Sequence, residues 1–274
     1  MSKQIIIDTD IGSDIDDAYA LVLALNSPEI KIKAIITNNS EPEKKAKIVG
    51  AFTKNIPIFY GIDTKKGFLT TDICNKDTKT EPLQENTDFF KDEELTYISI
   101  GALSNLAFFL DQGFKFKNVI IMGGSINTTY SGEKKKVKEW NFNCDLDATK
   151  KVFNSNLNIL LVPLDVTWDL ELNEENITKI KKNKKETSIL LNKHLNDMRK
   201  FLYKNYNIDF KKPILHDPLA VYASYDESLF KTEYLRLSIS DDGILEEKKE
   251  AKNIRVIKEV NKEFIPFFIK RILS

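Results

Sequence analysis

Short runs of aliphatic residues alternate with helical patterns over most of this 274-residue chain. The runs at residues 5–7, 119–122 and 157–162 are nearly continuous, whereas a strand with one solvated face alternates apolar and polar residues. Continuous apolar strands separated by helices are typical of a parallel sheet that is covered on both faces. The pattern therefore predicts an α/β fold with an open, mostly parallel, Rossmann-like sheet and helices on both faces.

Further strands and helices follow the same rule. We predict strands at residues 32–36, 56–60 and 97–100, and a helix that begins at Pro42 and continues through Phe52. Apolar residues at helical spacing predict another helix soon after the first strand: Ala18, Leu21, Val22, Leu25.

Three segments depart from this alternation. Residues 62–94 are polar and show little periodicity, which indicates a long surface excursion or a lid. Residues 131–138 form a charged loop, and residues 173–212 have a basic, helical pattern. No linker rich in Gly, Ser or Pro divides the chain, so we expect one domain over residues 1–274.

Composition excludes several classes of function. Lys and Arg number 41 and so do Asp and Glu, which leaves no basic excess for non-specific nucleic-acid binding. The longest apolar runs are shorter than the ~20 residues that span a bilayer, and residues 1–4 lead directly into the first strand without a signal peptide. Cys74 and Cys144 are too few and too far apart for a zinc cluster or a disulfide framework. We expect a cytoplasmic protein that binds neither nucleic acid nor membranes.

The strongest chemical signal is a group of carboxylates between the first apolar strand and the helix after it. Five lie within ten residues: Asp8, Asp10, Asp14, Asp16, Asp17. At this density they repel one another unless a cation lies among them, and hard oxygen ligands suit Ca²⁺ or Mg²⁺. Helix capping and the helix dipole would explain two acids in the first turn, Asp16 and Asp17, but not five. We therefore favour a metal site.

An acidic turn after the first strand also occurs in haloacid-dehalogenase phosphatases, whose pattern is Asp-x-Asp-x-Thr/Val. Here Gly12 stands where that pattern requires Thr or Val. A metal-dependent phosphatase is therefore the less favoured alternative.

Seven motifs occur in a fixed order along the chain: Asp10-Ile11-Gly12 with Asp16-Asp17-Ala18, Asn39 with Glu43-Lys44, Gly101-Ala102-Leu103-Ser104-Asn105, Met122-Gly123-Gly124, Glu139-Trp140-Asn141, Pro163-Leu164-Asp165-Val166-Thr167, and His216-Asp217-Pro218-Leu219-Ala220-Val221. In type and order they resemble the motifs of the inosine/uridine-preferring nucleoside hydrolases, whose first signature is Asp-x-Asp-Pro-Gly-x-Asp-Asp-Ala. The resemblance covers residues 5–221 and implies the nucleoside hydrolase type of α/β fold.

The resemblance also implies a calcium site and catalytic groups. Asp10, Asp17 and Asp217 would bind Ca²⁺ together with the backbone carbonyl of Ile100. Asp10 would be the general base that takes a proton from water. His216 would be the proton donor to the leaving nucleobase.

The residues implied to bind the ribose hydroxyls are Asp16, Asn39, Glu139 and Asn141. Met122 would line the same pocket. Asp8 would support the loop instead of touching the substrate.

Several positions depart from the family pattern. Asp14 and Ile15 act as an insertion in the first motif, so Asp14 competes with Asp16 for the sugar. Ile11 replaces the usual proline, and the Asn that commonly precedes Glu-x-Asn is missing, with Glu133 as its nearest counterpart. His194 and His216 are the only histidines; His194 lies on an apolar helical stripe and is expected to be structural.

A helical segment ahead of His216 carries the aromatic residues Phe201, Tyr203 and Tyr206. Phe201 fits core packing. Tyr203 and Tyr206 are candidates for stacking on the nucleobase. The sequence favours neither interpretation of the segment.

The resemblance implies a calcium-dependent hydrolase that cleaves the N-glycosidic bond of ribonucleosides to give ribose and free nucleobase. A homologue that binds nucleosides or ribose without turnover is the main alternative, since few groups are available to protonate the leaving base. We expect a small-molecule ribonucleoside as substrate, and a homo-oligomer, either a dimer or a tetramer.

Overall fold

The computed structural model describes residues 2–91 and 94–274. In these ranges ten strands form one sheet in the order β4-β3-β2-β1-β5-β6-β7-β10-β8-β9. The strands are β1 (Lys3–Thr9), β2 (Ile30–Thr37), β3 (Ile58–Tyr60), β4 (Glu81–Pro82), β5 (Thr96–Ile100), β6 (Asn118–Met122), β7 (Ile159–Val162), β8 (Phe230–Ile239), β9 (Leu245–Glu247) and β10 (Lys252–Val260).

Ten helices accompany the sheet within the same ranges. They are α1 (Asp16–Leu25), α2 (Pro42–Phe52), α3 (Ser104–Asp111), α4 (Trp140–Cys144), α5 (Leu146–Phe153), α6 (Leu164–Thr167), α7 (Glu174–Lys182), α8 (Glu186–Tyr206), α9 (His216–Ala223) and α10 (Phe264–Leu273). Two short 3₁₀ turns, Leu83–Glu85 and Thr87–Phe90, follow β4.

Strands β1 to β7 are all parallel to their neighbours, which confirms the predicted sheet. Every predicted strand is present with small shifts at its ends, and α2 has the predicted bounds. The last part of the sheet was not predicted. β10 pairs parallel to β7, but β8 runs antiparallel to β10, and β9 antiparallel to β8.

Both faces of the sheet are buried, as the continuous apolar strands predicted. Ile5 and Ile7 of β1 belong to one apolar cluster with α1, α2, α9 and α10, whereas Ile6 points to a second cluster with α3 and α5. β6 divides in the same way, because successive side chains of a strand point to opposite faces. The fold is therefore a sheet between two helical layers.

The segments that departed from the alternation are partly structured. Within residues 62–94 the structure buries Thr70, Ile73, Leu83 and Phe90, so much of this predicted excursion packs against the domain; residues 92–93 lie outside the described ranges. The basic segment 173–212 is not one helix but two, α7 and α8, and residues 207–212 after them are not helical. In the described residues no helix is both long and apolar enough to cross a membrane.

Candidate active site

The site forms where the carboxyl ends of four neighbouring strands meet. Parallel strands end at one edge of the sheet, and ligands in open α/β sheets bind beyond that edge. The order β2-β1-β5-β6 brings together the residues that follow these strands. They are Asp10 after β1, Asn39 after β2, Gly101 after β5 and Gly123 after β6. A Cβ on Gly101 would lie 3.0 Å from the backbone nitrogen of Asp10, so these two loops are in close contact.

The loop after β1 turns sharply before it enters α1. Gly12 has φ +99°, a conformation that favours glycine, and a Cβ there would lie 2.6 Å from Ile48 Cδ1 of α2. The Thr9 hydroxyl donates to Asp17 Oδ1 at 2.5 Å and accepts the Ile11 backbone N–H at 3.1 Å. The turn therefore places the first residues of α1, Asp16 and Asp17, at the end of the strand that precedes them.

Three carboxylates meet in this region from opposite ends of the chain. Asp16 and Asp17 begin α1, Asp217 is in the first turn of α9, and one oxygen from each lies within 4.8 Å of the others. All three side chains are buried. Burial first, and then the negative charge of neighbouring carboxylates, raises the pKa of each well above its usual range. We call Asp10, Asp16, Asp17 and Asp217 the acid site.

Asp10 lies beside these three residues, because its charge contributes to the raised pKa of each of them. Its Oδ2 accepts a hydrogen bond from Asn39 Nδ2 at 2.8 Å. Asn39 has φ +63°, and its Oδ1 accepts from the Thr64 hydroxyl at 2.9 Å. Asn39 is therefore held on both sides, and its amide fixes one oxygen of Asp10.

Buried carboxylates at this spacing fit a divalent cation. Oxygen ligands without soft sulfur or imidazole partners suit Ca²⁺ or Mg²⁺, and a cation would compensate for both the lost hydration and the mutual repulsion that raise the three pKa values. Helices α1 and α9 both begin here, and their N-terminal dipoles favour negative charge but supply far less than a cation would. The donor set thus fits the predicted metal.

The structure separates the two aspartates that competed for the sugar. Asp16 is buried with Asp17 and Asp217. Asp14 is exposed, and its Oδ1 accepts the backbone N–H of the next residue, Ile15, at 2.5 Å. Asp14 still lies close enough for its charge to raise the pKa of Asp16 and Asp217, so it borders this group without being buried in it.

Asp8 is fully buried below the acid site and has three neutral partners. Tyr97 donates its hydroxyl to Oδ2 at 2.5 Å, while Asn38 and Asn105 donate to Oδ1 at 2.8 and 2.9 Å. Burial raises the pKa of Asp8 to about 7, and the three hydrogen bonds oppose that rise only in part. Asp8 joins β1, the residue after β2, β5 and α3, which agrees with the supporting role expected for it.

Glu139 and Asn141 form the opposite side of the site. Glu139 precedes α4, and its carboxylate accepts the backbone N–H groups of Gly124, Asn141 and Phe142 at 3.0, 2.9 and 3.2 Å. Asn141 Nδ2 donates to the carbonyl oxygen of Met122 at 3.3 Å and lies 3.6 Å from its sulfur. The motif Met122-Gly123-Gly124 and the motif Glu139-Trp140-Asn141 are therefore in direct contact.

His216 precedes Asp217 at the start of α9 and is partly buried. Its Nδ1 lies 2.7 Å from the hydroxyl of Thr167, the last residue of another motif. Burial lowers the pKa of His216 to about 4, so the imidazole is neutral at neutral pH.

Tyr130 is a residue of this site that the sequence did not indicate. Its hydroxyl accepts the Trp140 backbone N–H at 2.8 Å and donates to Glu139 Oε1 at 3.5 Å. Its ring stands perpendicular to the His216 ring with the centroids 6.2 Å apart, and 44% of the residue is exposed. Glu133, the expected counterpart of the missing Asn, is exposed, so Tyr130 is the residue that reaches Glu139 from this loop.

The aromatic residues of α8 lie at and beyond the edge of the site. Tyr206 and Phe201 pack against Phe68, whose ring stacks on Phe201 at 5.2 Å and whose carbonyl accepts the Ser13 hydroxyl. Tyr203 is 65% exposed and lines a separate cavity of about 520 Å³ with Arg199 and other residues of α8 and the segment after it. Tyr206, but not Tyr203, therefore borders the first loop through Phe68.

His194 lies in α8 and is fully buried, as expected of a structural residue. Its Nε2 is 3.5 Å from the Thr70 hydroxyl, which donates to backbone carbonyls of Gly12 and Ser13. Burial lowers its pKa to about 4. It packs behind the first loop.

Several known proteins are similar to this chain over most of its length. A pyrimidine-specific ribonucleoside hydrolase, RihA of Photobacterium profundum, is 27% identical over 275 residues, which cover 89% of this chain and 86% of that protein. A probable uridine nucleosidase 2 of Arabidopsis thaliana is 28% identical over 265 residues, 83% of this chain and 79% of that protein. A probable ribonucleoside hydrolase of Dictyostelium discoideum is 28% identical over 194 residues, 64% of this chain but only 56% of that protein.

Solved structures share the fold at lower identity. A purine-preferring ribonucleoside hydrolase from Gardnerella vaginalis has a TM-score of 0.80 at 20% identity, covering 99% of this chain and 97% of that one. The plant nucleoside hydrolase PpNRh1 has a TM-score of 0.79 at 21% identity, covering 100% and 99%. The family model described as inosine-uridine preferring nucleoside hydrolase matches residues 5–265. The chain therefore belongs to the inosine-uridine preferring nucleoside hydrolase family.

Proposed function

We propose that this protein uses calcium to hydrolyse the N-glycosidic bond of ribonucleosides, releasing ribose and a free nucleobase. One observation carries the proposal: buried carboxylates from residues 16, 17 and 217 converge within 4.8 Å beside Asp10. A cluster of this kind is unfavourable for folding alone, because each carboxylate loses hydration and repels the others. Binding a cation and a polyhydroxylated substrate gives it a purpose.

Asp10, Asp17, Asp217 and the carbonyl of Ile100 would hold the calcium ion. When bound, calcium would orient the sugar hydroxyls and make a neighbouring water easier to deprotonate. Asp16 adjoins the same carboxylates, and its buried side chain would accept a hydrogen bond from a ribose hydroxyl.

Asp10 is the proposed general base. Asn39 donates to its Oδ2, which fixes the orientation of the carboxylate toward the attacking water. As the glycosidic bond breaks, positive charge grows on the ribose, and the neighbouring carboxylates stabilise that charge.

Glu139, Asn141 and Asn39 are the proposed ribose-binding groups, with Met122 against the sugar ring. Glu139 is positioned by three backbone N–H groups, and burial raises the pKa of its carboxyl. The Tyr130 hydroxyl fixes one of its oxygens from the solvent side. We add Tyr130 to the substrate-binding residues on these contacts.

His216 is the proposed hydrogen-bond donor to the leaving nucleobase. Because burial lowers its pKa to about 4, the imidazole is neutral and would stabilise the departing base through one N–H, while the proton itself would come from solvent. If the Thr167 hydroxyl donates to Nδ1, the proton of the ring lies on Nε2, where it is free to donate to a base nitrogen.

The direct test is a panel of purine and pyrimidine ribonucleosides scored for free ribose, with chelated protein as the reference. We expect ribose release that requires added Ca²⁺. Binding of ribose without release of base would instead support the non-catalytic alternative. The panel includes p-nitrophenyl riboside, whose leaving group needs no protonation, so His216→Ala should slow nucleosides far more than this substrate.

A further inference from the structure

Lys45 is a fully buried lysine in α2, and among the described residues no other lysine is buried. Its neighbours on the helix, Lys44 and Lys47, are solvent-accessible and form ion pairs with Glu41 and Glu43. Within the described residues Lys45 has no carboxylate within 4.0 Å, and its ammonium reaches only the Ser13 hydroxyl, at 3.5 Å. An ammonium group with one long hydrogen bond is costly to bury unless nearby charges compensate for lost hydration.

The position of Lys45 in α2 shows where that compensation comes from. Lys45 and Ile48 are three residues apart and lie on one face of the helix. Ile48 packs against Gly12, and Lys45 reaches Ser13, so this face lies on the loop that carries the acid site. Burial and the charges of Asp10 and Asp16 raise the pKa of Asp17, whereas the positive charge of Lys45 lowers it.

From the burial of Lys45 and its place behind this loop, we propose that Lys45 is a positioning residue that balances the charge of the acid site and sets its affinity for the divalent cation. The inference rests on the calcium site of the proposed function. When all four carboxylates are ionised, they carry four negative charges, of which a divalent ion would offset two and Lys45 a third. A fixed ammonium stabilises the metal-free cluster, and the same charge repels an incoming cation. Lys45 therefore makes the site less dependent on calcium for folding and makes calcium binding weaker.

The first test is calcium affinity, measured by calorimetric titration of chelated and dialysed protein. Lys45→Met keeps the length and apolar stem but removes the charge, and it should bind Ca²⁺ at least about tenfold more tightly than the parent. Lys45→Arg keeps the charge and should stay within about threefold of the parent. Lys44→Met removes a charge from the exposed side of the same helix and should leave the affinity unchanged. Unchanged or weaker binding by folded Lys45→Met would overturn the proposal.

The second test does not depend on calcium. A double-mutant cycle of Lys45→Met and Asp17→Asn, measured by urea unfolding in chelator, reports the coupling between the two charges. We expect removal of Lys45 to be less favourable when Asp17 is charged than when it is Asn. Additive effects would show that Lys45 does not balance this cluster.

The two tests separate the proposals. If the parent binds no Ca²⁺, the calcium site itself is wrong, and the cycle alone decides whether Lys45 balances the acid site. If Lys45→Met does not fold, Lys45→Gln takes its place in both experiments, since it also removes the charge.

Discussion

Two buried regions lie on either side of Asp8, and burial has opposite effects on their contributions to stability. In the acid site, loss of hydration and mutual repulsion raise the pKa values of Asp16, Asp17 and Asp217. The aromatic layer, which we define as Phe90, Tyr97, Phe109 and Phe116, contains fully or nearly fully buried rings. Phe109 lies 5.1 to 5.9 Å from the other three rings in edge-to-face arrangements. Burial stabilises the second region and destabilises the first.

The aromatic layer is tied to β1, the strand that leads into the acid site, by the hydrogen bond from the Tyr97 hydroxyl to Asp8. Tyr97 belongs to the aromatic layer through its ring and supports the acid site through its hydroxyl. Asp8 and Tyr97 lie on the neighbouring strands β1 and β5, so the region that stabilises the fold is next to the region proposed for chemistry but distinct from it. Changes in one region should therefore have different effects from changes in the other.

The largest expected effect tests the acid site through its substrate. Ribonucleosides should be cleaved up to 10⁴–10⁵ times faster than 2′-deoxyribonucleosides, because a site built to bind a hydroxyl leaves its polar groups unpaired without it. The measurement compares kcat/KM for uridine and deoxyuridine, and for inosine and deoxyinosine. Equal rates would mean that the carboxylates do not bind the sugar hydroxyls.

Asp10→Asn should lower kcat by about 10²–10⁴-fold, since the amide keeps the size of the side chain but cannot accept a proton. The unfolding midpoint should hold or rise, because one repelling charge is removed from the acid site. Calcium content is measured alongside, as Asp10 is also a proposed ligand. A variant with a near-normal rate and normal calcium would contradict the assignment of the base.

Phe109→Ala provides the opposite case in the aromatic layer. Loss of a fully buried ring should lower the free energy of unfolding by about 3–5 kcal/mol. The kcat per folded molecule should stay close to that of the parent. Urea unfolding and active-site titration measure the two quantities, and a large loss of kcat in the folded variant would show that the regions are not separable.

The smallest expected effect is the pH dependence of stability in chelator. Three carboxyls of the acid site have raised pKa values in the folded state, and so does Asp8, so the unfolded state releases these protons at lower pH; the three are Asp16, Asp17 and Asp217. Stability should therefore fall as pH rises from 6.5 to 8, by about 1–2 kcal/mol. His194 and His216, with pKa values lowered to about 4, act in the opposite direction: as the unfolded imidazoles lose their protons, each adds about 0.4 kcal/mol of stability between pH 6.5 and 8 and offsets part of the fall.

Calcium should remove most of that dependence, because bound carboxylates stay ionised across the window. Urea unfolding at pH 6.5 and 8, with and without calcium, measures both parts. Stability that rises with pH in chelator would contradict the raised pKa values.

The sequence predicted the parallel part of the sheet well because those strands are buried on both faces. It did not predict β8 to β10, because an exposed face leaves Phe230–Ile239 rich in charged residues. Asp10 and Asn39 directly follow parallel strands, whose ends meet at one edge of the sheet. Glu139 and Asp217 lie at the starts of helices, and only the family motifs indicated that they belong to the same site. The sequence did not indicate Tyr130 or Lys45, because their proposed roles depend on tertiary contacts that cannot be inferred from the spacing of nearby residues.

The choice between Asp14 and Asp16 shows the same limit. The two residues differ by less than one helical turn in sequence, and either could have faced the sugar. The structure distinguishes them: Asp16 is the first residue of α1 and is buried with Asp217, whereas Asp14 precedes the helix and is exposed.

The most direct test of calcium dependence is the metal content of protein purified without chelator or affinity metal, followed by restoration after chelation. We expect about one Ca²⁺ per chain, loss of ribose release when it is removed, and recovery when Ca²⁺ alone is returned. Zinc in its place, or full ribose release by protein that holds no metal, would contradict the proposed role of the acid site.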